Sequence, residues 1–105
     1  MTNKLEKEFD VAMMDIYQRA KKEAKYNGTR YLQMLHENRG LRTAQILLHA
    51  PNVSDGYTAL WERKRLDLTV EALIIQKKWH PLFSDREREI ARKRLEDYEY
   101  EFKDI

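Results

Sequence analysis

The sequence predicts an all-α protein, a compact single-domain bundle of five or six helices. Three observations predict it. Glycine and proline are scarce, three and two in 105 residues, while Glu, Lys, Arg, Leu and Ala are abundant. Helix formers therefore dominate and breakers are few. Apolar residues recur three and four apart, and strand-like alternation shows only weakly at residues 66–70. A chain of this length buries roughly two-thirds of its unfolded surface, enough for one core without covalent staples.

The first helix is expected over residues 3–26, on a stripe of Leu5, Phe9, Met13, Ile16, Ala20 and Ala24. Asn27-Gly28 should stop it through a left-handed glycine. Its acids (Glu6, Glu8, Asp10, Asp15) precede its bases (Arg19, Lys21, Lys22, Lys25), as the helix dipole favours. It is long for so small a domain, and it is the expected contact of a homodimer. Met13-Met14 and Met34 would give that side a pliable surface.

Thr29 is expected to cap a second helix holding Tyr31, Leu32 and Leu35, which ends before Arg39-Gly40. A third, residues 41–49, buries Leu41, Ala44, Leu47 and Leu48 and closes at Pro51. Ser54-Asp55-Gly56 reads as the turn and N-cap of a fourth, with Tyr57, Leu60 and Trp61. Asp67 is the expected N-cap of a fifth over residues 68–79. That segment is apolar nearly all round and belongs at the centre of the bundle. Pro81 breaks the chain, and Ser84-Asp85-Arg86-Glu87 fits the capping box of a sixth. Ile90, Ala91, Leu95, Tyr98 and Phe102 line one side of it, and Glu89 precedes Lys93 by four on the other. The whole of 1–105 reads as one domain, a long N-terminal helix (1–27) followed by a helical core (28–105).

From Gly40 onward several phrases follow one another. They are Gly40-Leu41-x-Thr43-Ala44-x-x-Leu47-Leu48, Gly56-Tyr57-x-x-Leu60-Trp61-Glu62, and Arg65-Leu66-Asp67-Leu68-Thr69-Val70-Glu71-Ala72-Leu73. The string closes with Leu82-Phe83, Glu87, Ala91-Arg92-x-Arg94-Leu95 and Tyr98. In these phrases the chain resembles a group of small uncharacterised bacterial proteins. The resemblance implies a shared helical fold; it carries no activity and transfers no catalytic residue.

Composition narrows the function classes. The cysteine count is zero, which removes disulfide scaffolds, thiol chemistry and Cys-type zinc sites. The longest apolar run, Ala72-Leu73-Ile74-Ile75, is too short to span a bilayer. Met1-Thr2-Asn3-Lys4-Leu5-Glu6 has no apolar signal run, so a cytoplasmic address is expected and no membrane partner. Three separated glycines make no P-loop or dinucleotide fingerprint. His36, His49 and His80 show no ligand spacing. No catalytic, cofactor or metal residue is therefore named, and the chain is read as no enzyme.

Charge leaves surfaces to consider. The net charge is only +2, but residues 57–94 carry ten basic and six acidic side chains, and 95–105 one against five. The candidate interaction surface comprises Arg63, Lys64, Arg65, Lys77, Lys78, Arg92 and Lys93. Most of these bases close helices, where cations complement unpaired carbonyls. Residues 41–65 have the order of a helix-turn-helix. Its recognition helix would read bases with its N-terminal residues, here Asp55, Gly56, Tyr57 and Thr58, while the cations sit at the far end. Glu71 lies at the edge of a buried face and should be held by Arg65 or Arg94 as a structural ion pair. Tyr57, Trp61, Trp79 and Phe83 read as core, or as a protein-binding hot spot if Tyr57, Trp61 and Trp79 are exposed together. The leading expectation is a non-enzymatic helical protein docking on another macromolecule. The alternative is a small nucleic-acid-binding module using the basic 57–94 region.

Overall fold

Phe9, Met13, Ile16 and Ala20 form the buried stripe of α1 (Lys4–Glu23), around which the rest of the chain packs. The structure, a computed structural model, describes residues 4–101. Within them follow α2 (Thr29–His49), α3 (Asp55–Glu62), α4 (Val70–Ile74) and α5 (Asp85–Asp97), with 3-10 turns at Leu66–Leu68 and Lys77–Leu82. No strand occurs among the described residues, and the protein is all-α. No helix among them is long and apolar enough to cross a membrane. Asn3 and Phe102, assigned above to the first and last helices, lie outside the described residues.

Helix ends depart from expectation in an informative way. α1 stops at Glu23, and Lys25 rather than Gly28 takes the left-handed conformation, at φ 57°. Gly28 has φ −79° and precedes α2 without a side-chain cap, so Thr29 begins the helix instead of capping it. None of the glycines has positive φ, whereas Lys25, Arg39, Lys64 and Glu99 do. At Lys64, the Arg65 N–H donates to Leu60 O (2.8 Å) and the Lys64 N–H to Trp61 O (2.9 Å). Glu99 ends α5 the same way, with the Tyr100 N–H on Leu95 O (2.9 Å). Both are Schellman caps in which the crossed hydrogen bonds replace the usual glycine.

The second and third predicted helices run into one, broken at Arg39 (φ 65°, ψ −179°). This region of backbone space belongs to glycine and costs a larger residue about 1–3 kcal/mol. Asp10 of α1 offsets the cost. Its carboxylate accepts the Gly40 N–H at 2.7 Å and the Arg39 Nη2 at 2.6 Å. Gly40 is needed for that approach, since a Cβ there would lie 2.8 Å from Asp10 Oδ1 and 3.1 Å from Asp10 Cα. The buried Thr43 hydroxyl spans the break by donating to Met34 O (3.1 Å).

The serine caps form as the sequence suggests. Ser54 Oγ accepts the Tyr57 N–H, and Ser84 with Glu87 closes a full capping box. The predicted fifth helix does not form over residues 68–79. Asp67 is drawn to Arg65 Nε at 3.0 Å and does not cap; Thr69 caps instead, accepting from the Ala72 N–H. α4 is five residues long, and extended Gln76 (φ −67°, ψ 137°) separates it from the following 3-10 turn. All five residues of α4 are buried, so its central place holds although its length does not. The break lets Trp79 turn inward, where Phe9 meets it edge-on at 5.2 Å and meets Phe83 at 5.3 Å.

Candidate functional site: a tyrosine-lined cavity

Arg94, in the last turn of α5, holds the end of α2 and the start of α4 together. Its Nη1 donates to Glu71 Oε2 (3.0 Å) and Leu47 O (3.1 Å), and its Nη2 to Leu48 O (3.3 Å) and Ala50 O (2.7 Å). A planar guanidinium suits this task, because its fork reaches a carboxylate and several carbonyls at once. The carbonyls are those a helix C-terminus leaves unpaired. The two side chains are only 12% and 5% exposed. Glu71 thus pairs with Arg94 of the two arginines considered, while Arg65 pairs with Glu23 and Asp67. Burial pushes the Glu71 carboxyl above the ordinary carboxylate range, although its own backbone amide and Arg94 pull the other way.

On one side of Glu71 lies a cavity of about 480 Å³ between α1, α2, α3 and the residues that lead into α4. Four of the chain's six tyrosines line it: Tyr17, Tyr26, Tyr31 and Tyr57. The Tyr17 and Tyr31 rings are stacked, 6.4 Å apart and 19° from parallel. The Tyr31 hydroxyl donates to Met13 O (2.8 Å) and that of Tyr57 to Arg94 O (2.9 Å). Burial first, then the nearby Glu71 charge, raises both phenols well above their ordinary range. Aliphatic side chains, among them Ile16, Leu60 and Val70, complete the walls.

Tyr26 stands against two glycines. A Cβ on Gly28 would lie 3.2 Å from its Cε2, and one on Gly56 would lie 3.3 Å from its hydroxyl. The Arg63 guanidinium sits 5.5 Å over the same ring, and Arg63 Nε donates to Ala24 O (2.9 Å). Gly28 and Gly56 therefore serve space, since neither has positive φ. The sequence signal for this wall was the gathering of Tyr26 and Tyr31 on either side of Asn27-Gly28, with Tyr57 directly after Gly56. Sequence reasoning placed no site there.

The basic candidates are engaged within the fold. Arg63 caps the carbonyls of Ala24 and Ala59, and Arg65 reaches Glu23 at 2.7 Å. Lys78 pairs with Glu8 (3.4 Å) and covers the Trp79 ring; Lys93 pairs with Asp97 (3.5 Å). Lys64 and Lys77 are exposed, and Arg92 is half-buried. Glu8 and Glu23 are about 22 Å apart along α1 at 1.5 Å per residue. The clusters holding Arg65 and Lys78 accordingly lie toward opposite ends of α1 and do not form one patch. Tyr57, at the expected base-reading end of α3, is buried in the core. Trp79 is buried with it, which leaves Trp61, 46% exposed, as the outlying aromatic. His49 pairs with Glu87 at 2.9 Å and His80 contacts Ile75 O at 3.2 Å. Among the described residues no group of three His, Asp or Glu side chains could hold a metal.

In comparisons with known proteins, no family, no curated protein and no solved structure matched the chain.

Proposed function

We propose that the chain is a non-enzymatic binding protein whose working site is the tyrosine-lined cavity. The observation that carries this reading is the cavity itself, within the 300–1,000 Å³ range of ligand pockets and walled mainly by apolar and aromatic side chains, with polar groups such as Asn52, Ser54 and Thr69 among them. Gly28 and Gly56 leave room for the Tyr26 ring in its wall. The test is a titration of isotope-labelled full-length chain with small probe molecules, following backbone amide shifts. Binding should move the amides of Gly28, Ser54 and Gly56 together; shifts scattered over the surface would remove the reading.

Docking on another macromolecule is the second reading. Trp61 supports it, exposed and braced edge-on by Tyr98 at 5.3 Å. Such a contact should persist at high salt and fail in Trp61→Ala. A nucleic-acid role is favoured less, because Arg63, Arg65, Lys78 and Lys93 already have partners in the fold. An electrophoretic shift lost between low and moderate salt would restore it.

A further inference from the structure

We propose that the cavity takes an uncharged aromatic small molecule, with Tyr26 as the wall that sets its fit. The inference rests on the reading of the cavity as the working site and adds the chemistry of its occupant.

Charge decides the first half. Among the described residues, three charged ones line the space. Arg30 and Asp55 are exposed and of opposite sign, so water solvates both. Glu71 is buried and already bonded to Arg94. Of Arg94's donors, both terminal nitrogens are occupied by Glu71 and three carbonyls. A charged ligand would lose its hydration and find only the solvated Arg30 or Asp55 as countercharge, and exposed pairs of that kind return little. A cationic ligand would also compete with Arg94 for Glu71, and an anionic one would face the Glu71 carboxyl.

The rings decide the second half. Aromatic pairs gain beyond their buried area when offset-stacked or edge-on. The stacked Tyr17 and Tyr31 already show one such arrangement in this wall, and Tyr57 presents a third ring. The hydroxyls of Tyr31 and Tyr57 point at backbone carbonyls and are engaged there. Their ring surfaces are what the cavity offers. Tyr26 differs from the other three, because it is packed closely against both Gly28 and Gly56 and has a cation over its face. Its position is therefore set by Gly28, Gly56 and Arg63, and substitution at Gly56 reaches the cavity through it.

The experiment compares four probes on the full chain by amide shifts: indole, the anion indole-3-acetate, the cation tryptamine, and 1-octanol as a neutral ligand without a ring. Indole should bind with shifts at cavity residues, and each of the other three at least tenfold more weakly. Tyr26→Leu should weaken indole about tenfold. Gly56→Ala, which places a methyl in a helix and keeps the fold, should weaken it about threefold. Charged congeners binding as tightly as indole would overturn the uncharged class. Octanol binding as tightly would overturn the aromatic class while leaving the cavity as the site. Unchanged indole affinity in both variants would remove Tyr26 from the role. No probe moving cavity amides would overturn this proposal and the proposed function together.

Discussion

Replacing Arg94 with methionine keeps an apolar stem and removes the guanidinium that joins α5 to α2 and α4. Two losses follow. Glu71, its side chain 5% exposed, is left as a buried carboxylate without its cation, a change that costs about 3–5 kcal/mol. The carbonyls of Leu47, Leu48 and Ala50 lose their donors, at about 1–3 kcal/mol for each that water does not reach. The expected total is about 5 kcal/mol, much of the 5–15 kcal/mol available to a domain. Glu71→Met/Arg94→Met removes the stranded charge and leaves only the carbonyls, so it should recover roughly half the loss. The pH dependence has a definite sign. Burial holds the folded Glu71 carboxyl above its unfolded value, and without Arg94 it rises further. Protonation then favours the folded state, so the Arg94→Met deficit should be smallest near pH 4 and grow as pH rises through the folded pKa. Urea unfolding at several pH values measures this, with the slope checked for constancy. A loss below about 1 kcal/mol, or a double variant no better than Arg94→Met, would refute the reasoning.

Three other outcomes are expected. Arg39→Gly should be more stable than Arg39→Ala by about 1–2 kcal/mol in thermal or urea unfolding, because the φ 65°, ψ −179° backbone suits glycine; within an ordinary helix the order is reversed by about 1 kcal/mol. Gly40→Ala should cost about 1–3 kcal/mol, since the new Cβ meets both the Asp10 carboxylate, which the Gly40 N–H and Arg39 hold in place, and the Asp10 Cα; an unchanged urea midpoint would contradict the packing. Glu23 accepts from Arg19 and Arg65, which lower its carboxyl to about 2. Its contribution is present above the unfolded value near 4.5 and is lost as pH falls toward about 2. Glu23→Gln should flatten acid unfolding in that window, and added salt should weaken the effect in the parent chain.

Local signals were legible where a few adjacent residues decide the outcome. Ser54 and Ser84 open helices because a hydroxyl needs only the amide three residues on. The α1 stripe follows from spacing alone, and the need of Glu71 for an arginine follows from its place on a buried face. Segment 68–79 was misread because every residue in it tolerates helix. Its ends are set by competition: Arg65 takes Asp67, Thr69 takes over the cap, and Trp79 has to meet Phe9. Glycine misled at the α1 end for a similar reason, since Gly28 answers to the Tyr26 ring and not to its own dihedral angles. The cations looked available because their partners, Glu8, Glu23 and the Ala24 carbonyl, are distant in sequence. The cavity had no local signal, being the space left between elements that touch only after folding.

The break at Arg39 divides α2 into two halves, and each half contributes to the cavity wall. Tyr31 and Met34 come from the half before the break; Ile46 and Leu47 come from the half after, and Ala50 is its C-cap. The first half is tied to α1 through Tyr31, and the second to α5 through Arg94. A continuous 21-residue rod would carry any displacement from end to end. Here the two halves meet at a kink, and the residues at the kink, Arg39 and Gly40, are pinned to Asp10 of α1. The angle between two of the chamber's walls is thus held from outside it, by a carboxylate that is no part of its lining.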